Sequence, residues 1–449
     1  MRARILALLP ALIAVCAGGC RVDRCEGSQG KTGIDLRAGR YGHLQLALPN
    51  GRVAIIGGVR RTECGDDVEF PERLELFDPT SGAFAPGLSA GPLGFAFGAG
   101  AVSDAGTPGD PSDDYLLIAG GITNLRDEFR PFRAARRTAV RIALDGPGGD
   151  PGTVEVVEPL GGERLDLRAV ALPDGRVAFA GGRDEDNDAR AEVFIYAPDG
   201  RTLSATITAS SAGPDPLLKR YNHQLLFVPN LRAGWLLLTG GRNDGDVLAQ
   251  ANAIDLQDLS VYVLGPTAAL IARQYHTSTY VDNGTPGVLG DDAIVEVGGL
   301  GEIEENIFGF RQYHLDRADV FTLADNGVGS APNVVSLKSN VDLGDVVFFH
   351  AAAAAGDGRT VVVAGGFGSL FFDGRGVFTA DFIDSDPVAD LWRLVYDPAD
   401  PDVLAVSRSQ LQQERAMDAA CTLADGTVLV TGGINGWLNS VRGAEIITP

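Results

Sequence analysis

The sequence predicts an all-β chain: a seven-bladed β-propeller of four-stranded antiparallel blades, closed by an N-terminal strand that completes the last blade. Three observations carry this. An apolar run ending in two glycines occurs seven times: "RVAIIGG" to Gly58, "YLLIAGG" to Gly121, "RVAFAGG" to Gly182, "WLLLTGG" to Gly241, "AIVEVGG" to Gly299, "TVVVAGG" to Gly366 and "TVLVTGG" to Gly433. The copies are spaced 63, 61, 59, 58, 67 and 67 residues apart, a regular period that marks a solenoid or a propeller. Each period also carries signals for four strands, which is one propeller blade.

The strand before each GG run is announced by a hairpin: "HLQLALPNGR" (43–52), "LRAVALPDGR" (167–176) and "AACTLADGT" (419–427). Asn-Gly and Asp-Gly suit such turns because both central residues take positive φ. The double glycine marks a sharp exit where one backbone packs close to another, a conformation glycine adopts at little cost. A third strand follows, as in "LELFDP" (74–79), "AEVFIYAP" (191–198), "ADVFTLAD" (318–325), "ADLWRLVYDP" (389–398) and "AEIITP" (444–449). A shorter fourth precedes the next unit, as in "TVEVVEPL" (153–160), "LSATITAS" (203–210), "SVYVLGP" (260–266) and "VLAVSRS" (403–409). The last repeat stops at its third strand, so "KTGIDLRAG" (31–39) is expected to supply the missing fourth and remove an open edge.

An apolar strand ending in GG, followed by a "Y-D-P" strand, resembles the kelch repeat over 42–449. The period exceeds the roughly 50 residues usual for kelch, and the aromatic residues after the GG are mostly replaced. The resemblance implies a propeller like the central one of galactose oxidase. It implies no single activity, since the family includes binding scaffolds and some enzymes.

The chain of 449 residues is 45% apolar, with 59 glycines and a formal net charge of −22. That charge excludes a general nucleic-acid binder, which needs a basic footprint to neutralise phosphates. It also excludes broad docking on an anionic membrane and favours a soluble monomer. At the N-terminus, Arg2 and Arg4 precede the apolar "ILALLPALIAVC" (5–16), too short to span a bilayer, and then "AGGC" (17–20). This resembles a bacterial lipobox. It predicts a signal peptide over 1–19, a lipidated Cys20, a tether over 20–30 and a propeller over 31–449, making an exported outer-membrane lipoprotein on the periplasmic or outer side. The other reading is an ordinary secretory signal. Of the five cysteines, Cys25 and Cys64 lie in polar, loop-like sequence and are the expected disulfide, while Cys421 in "AACTL" reads as a buried free thiol.

Alternation of connections puts the loops after each GG and the links between blades on one face, the top. The innermost strands start there with "RYGH" (40–43), "RYNH" (220–223) and "RQYH" (273–276), and with weaker relatives "RLDL" (164–167), "VFFH" (347–350) and "RAMD" (415–418). Arg40, His43, Arg220, His223, Arg273 and His276 thus form a central rim. It would bind an anionic ligand or a metal, or else brace the blades. The loops after Gly58, Gly121, Gly299 and Gly366 are long, and those after Gly182, Gly241 and Gly433 are short. Long loops on a rigid scaffold are where binding resides. They carry arginines and aromatics, the favoured residues of binding surfaces, and Arg130, Arg133, Arg136, Phe308, Phe310, Arg311 and Phe372 are the expected contacts. "DEDND" (184–188) lacks the glycine and the final glutamate of a calcium loop and reads as a solvated turn.

No H-E-x-x-H motif is present. A copper radical oxidase, which the kelch resemblance admits, needs two histidines, two tyrosines and a cysteine cross-linked to one tyrosine. Tyr41, Tyr221 and Tyr275 lie beside the rim, but Cys64 and Cys421 lie elsewhere, so no cofactor is expected. Two functions therefore stand: a non-catalytic scaffold that grips an envelope protein or glycan through its top loops, and a carbohydrate-active enzyme of oxidase or epimerase type with its site at the central channel.

Overall fold

Each GG run is the second strand of an antiparallel meander, four-stranded in six of the seven blades. The computed structural model describes residues 33–61, 68–124, 134–208, 218–306, 309–368, 387–399, 404–435 and 439–449, and within these 303–306 and 309–313 by their backbone. In the first blade Leu44–Ala47, Val53–Ile56, Arg73–Asp78 and Ala83–Ser89 pair in that order, all antiparallel. The inner strands of the next six blades are Ala99–Ser103, Arg168–Ala171, Gln224–Val228, Thr277–Val281, Ala351–Ala354 and Ala419–Thr422. Each inner strand packs against those of both neighbouring blades, so the seven close a ring. The only helix among the described residues is one 3₁₀ turn, Gly91–Leu93.

The second strands are buried along their whole length because a neighbouring blade covers each face. This is why they read as unbroken apolar runs and not as alternation. The core is correspondingly divided into seven inter-blade layers. Leu76 meets Ile118, Phe179 meets Leu117, Ile195 meets Leu236, Leu237 meets Ile294, Val295 meets Val363, Val362 meets Val430, and Leu429 meets Val53.

One backbone contact recurs at all seven junctions. The first glycine of each pair has φ of 53–71° and the second 89–103°. The second donates its N–H to the carbonyl that opens the next blade: Phe95, Arg164, Arg220, Arg273, Val347, Arg415 and finally Arg40, at 2.7–2.9 Å. A Cβ on the first glycine would lie within 2.7 Å of that same carbonyl oxygen. The glycine pair is thus required by both conformation and space.

The ring closes through Gly433 N–H to the Arg40 carbonyl at 2.8 Å. The segment before Arg40 adds to this by lying along the last blade, whose named strands are Ala419–Thr422, Val428–Thr431 and Ala444–Ile447. It contributes one antiparallel bridge, Asp35 to Gly443, flanked by Ala444 N–H to the Ile34 carbonyl and Leu36 N–H to the Arg442 carbonyl, both 2.8 Å. Leu36 is fully buried in the layer between the last and first blades. The expected fourth strand is therefore a bridge with a buried anchor over 34–36, and its residues 31–32 lie outside the described residues.

Substitution at a junction glycine should cost more than positive φ alone. Gly432→Ala places a methyl against the Arg40 carbonyl, whereas Gly51→Ala, at φ 83°, meets open space. Denaturant unfolding is expected to show Gly432→Ala destabilised by about 2–4 kcal/mol and Gly51→Ala by about 1 kcal/mol.

Candidate binding mouth on the top face

The predicted rim arginines Arg40, Arg220 and Arg273 do not face the channel. Arg40, Arg164, Arg220, Arg273 and Arg415 are buried inside their own blades. Each donates from one terminal nitrogen to the carbonyl of the first glycine of its own pair, at 3.0–3.4 Å. The other terminal nitrogen reaches a polar side chain at or beside the third strand: Glu75 at 2.5 Å, Glu192 at 3.5 Å, Asn252, Asp319, and Glu445 at 2.8 Å. Arg220 alone meets an amide instead of a carboxylate, and burial lowers it to about 9. The arginines lock each blade's sharp exit to its third strand.

The histidines lie between blades. The Nε2 of His43, His276 and His350 is within 2.8–3.3 Å of the hydroxyl of Thr431, Thr239 or Thr277 on the preceding blade. His223 packs its ring on Gly181 of the preceding blade. Asp418 occupies the corresponding place in the last blade, and both its oxygens are buried without a hydrogen-bond partner among the described residues.

What does encircle the top of the channel is the residue two after the carbonyl that opens each blade. Gly42, Phe97, Asp166, Asn222, Tyr275, Phe349 and Met417 all take the left-handed conformation, at φ of 53–60°. Six are not glycine, and each such residue costs roughly 1 kcal/mol of strain. Backbone bonds hold them. Phe97 donates to Gly42 (2.9 Å), Asp166 to Phe97 (3.0 Å), Tyr275 to Asn222 (3.2 Å), Phe349 to Tyr275 (3.1 Å), Met417 to Phe349 (2.9 Å) and Gly42 to Met417 (3.4 Å). The remaining junction, Asp166 to Asn222, has no such bond among the described residues.

The collar is two-sided. Tyr275 and Phe349 stack with ring centres 3.9 Å apart, and Phe97 meets Tyr41 edge-on at 6.2 Å. Asp166 and Asn222 form the polar side, on the third and fourth blades, two of the three whose GG loops are short. There the residue after the glycine pair is Arg183 or Arg242, where the other five blades carry buried Val59, Ile122, Leu300, Phe367 and Ile434. Arg183 grips Asp166 at 2.7–2.8 Å and Asn187 at 2.5 Å, over the ring of Tyr221. Burial opposes its charge, but Asp166, Tyr275 and Tyr221 more than offset that and raise its pKa.

Arg242 has a buried Nε with no hydrogen-bond partner, and no carboxylate pairs with it among the described residues. It sits beside Tyr275, whose phenol burial pushes upward while Arg183 and Arg242 pull it down. Within the collar itself these two arginines face a single aspartate, Asp166. The arrangement can hold an anionic group against an aromatic face.

Of the long-loop contacts expected from sequence, Arg130, Arg133, Phe308 and Phe372 lie outside the described residues, as does Cys20. Phe310 and Arg311 lie on Gly309–His314, which pairs with Leu300–Asn306 as a hairpin within the fifth loop. Arg136 donates to the Pro92 carbonyl at 3.0 Å and stacks 5.1 Å from the Phe95 ring, so its guanidinium is committed within the protein. The "DEDND" turn is organised by Asp184, which accepts the N–H groups of Asp186 and Asp188 and pairs with Arg190 at 2.5 Å. Cys421 is a free thiol, half-buried where full burial was expected. Gln45 donates to its sulfur at 3.2 Å, and burial pushes the thiol up to about 11.

These residues do not fit a copper radical centre. The histidines bind across blade junctions, Cys421 faces Gln45 and not a tyrosine, and no group of three His, Cys, Asp or Glu suits a metal among the described residues. No family model matches the chain, and no curated protein matches it. Solved structures do. A copper-bound fungal alcohol oxidase of the AA5 family is 15% identical with a TM-score of 0.57, over 94% of this chain and 76% of its own. The structure of YjhT is 15% identical with a TM-score of 0.48, over 79% of this chain and 95% of its own. At this identity the likeness is one of fold: a propeller in keeping with the kelch type that the repeats resemble.

The buried groups predict an optimum in stability. Burial lowers His43 and His350 from 6.5 to about 3, and lowers His223 and His276 well below 6.5. Each takes up a proton on unfolding, so stability present above pH 6.5 is lost as pH falls. Asp418 runs the other way. Burial raises it from 3.8 to about 8, so it ionises only on unfolding, and stability is lost as pH rises between those values. Four histidines outweigh Asp418 on the acid side, and above pH 6.5 their contribution is complete while that of Asp418 is still falling. Chemical denaturation across pH should therefore peak near pH 6.5, and Asp418→Asn should flatten the alkaline limb, adding about 1–3 kcal/mol at pH 8. An unchanged alkaline limb would refute the assignment.

Proposed function

We propose that this protein is a non-catalytic binding propeller whose ligand sits in the top-face mouth: an acidic glycan, with its anionic group at Arg242 and a sugar face on Tyr275 and Phe349. The observation that carries the reading is Arg242, a cation without a carboxylate partner among the described residues, beside a stacked aromatic pair. Aromatic faces suit sugar rings, and a buried guanidinium nitrogen without a partner is a standing donor. In this reading the long loops of the first, second, fifth and sixth blades would wall the mouth, beside the short loops of the third and fourth that carry both arginines. Arg130, Arg133, Arg136, Phe308, Phe310, Arg311 and Phe372 belong to that wall in this reading. Display on a lipid anchor at Cys20, in the cell envelope, completes the proposal.

Calorimetric titration with oligogalacturonides, and with neutral galactose oligomers of equal length, tests it. The acidic series should bind more tightly, and Arg242→Gln should weaken it at least tenfold, about 1.4 kcal/mol, with thermal unfolding unchanged. Equal binding by parent and variant, or no preference for the acidic series, would place the ligand elsewhere.

A further inference from the structure

On the face opposite the mouth, a cleft of about 450 Å³ opens between the fourth and fifth blades. That volume lies within the range of small-molecule sites. Its walls are apolar, from Val228, Leu289, Ile294 and Leu323. Its floor is not. Asp292 is 7% exposed, accepts the Tyr280 hydroxyl on Oδ2, and leaves Oδ1 buried with no hydrogen-bond partner. Asn230, also lining the cleft, keeps a buried Nδ2 without a partner. A buried polar atom left unpaired costs roughly 1–3 kcal/mol, and here two such atoms line one cavity.

The charge around the cleft is negative. Burial raises the pKa of Asp292, and Asp291 and Asp282 add to this against the Tyr280 hydrogen bond, which lowers it. Asp325 lies at the rim, joined to Arg232 at 3.0 Å, and Arg232 also pairs with Asp255 at 3.0 Å. Arg232 is thus committed to two other carboxylates, and no salt bridge joins Asp292 to a cation among the described residues. Leu231, 91% exposed, extends the apolar surface beyond the rim. An anion would meet repulsion here, and a neutral apolar molecule would leave Oδ1 unpaired. A cation with an apolar body satisfies both the floor and the walls.

We propose that this cleft is a second ligand site, independent of the mouth, for an organic ammonium ion, with the ammonium on Asp292 Oδ1 and its apolar body against Val228, Leu289 and Leu323. Phenethylamine is a suitable probe, with 2-phenylethanol as its neutral counterpart and phenylacetate as its anionic one. Saturation-transfer NMR and calorimetry on the full protein should detect phenethylammonium in preference to both. Asp292→Asn should weaken it at least tenfold. Leu289→Trp, on a partly exposed loop, should block the cleft while leaving Asp292 in place, and so abolishes binding even if the first variant fails to fold. Tyr280→Phe frees Oδ2 and should leave binding intact or tighter. Equal binding of the amine and the alcohol, retained binding in Leu289→Trp, or no binding of the amine would overturn the proposal.

Discussion

A single hydrogen bond, repeated seven times, organises this protein: the N–H of the second glycine of each blade to the carbonyl that opens the next. It forces both glycines into positive φ and leaves no room for a side chain on the first. Because it is a backbone bond, the residue that supplies the carbonyl is free to vary, and it is arginine in five blades, Phe95 in the second and Val347 in the sixth. Where it is arginine, the same residue works twice. Its carbonyl ties the previous blade and its guanidinium ties its own. The junction and the blade are thus fixed by one position in the chain.

From that position the rest of the top face follows. Two residues on, the chain turns through the left-handed region, and the next side chain is pressed against the preceding blade. The histidines are therefore interior parts of the ring, kept neutral by burial. The variable chemistry is displaced to the collar and to the residue after each glycine pair. Those two sets meet around Asp166, Arg183, Tyr275 and Arg242.

The blades were legible in the sequence because their requirement falls on glycine, and glycine is visible. The third strands Ala139–Ala143 and Ala251–Asp255 were harder to read, since Arg141, Asn252 and Asp255 interrupt their apolar pattern while finding partners inside the fold. The arginine and histidine sets were legible as a repeat, but not as bracing. The acid that meets Arg40 stands 35 residues away, beyond any local pattern. The collar left almost no trace. Only Gly42, Asp166 and Asn222 are residues that favour positive φ, and Phe97, Tyr275 and Phe349 are held there by neighbouring blades. Arg183 and Arg242 did have a signal: "GGR" occurs in two adjacent copies where the others read GG and an apolar residue.

The collar has a consequence for how such a mouth can change. Its backbone is fixed by bonds that involve no side chain, and one of its seven members is a glycine with nothing to present. The other six carry side chains on a rigid frame, so exchanging one for another alters what the opening recognises without altering its shape. Chemical identity and geometry are here separable properties. A family of proteins could share this ring to the ångström and have no ligand in common.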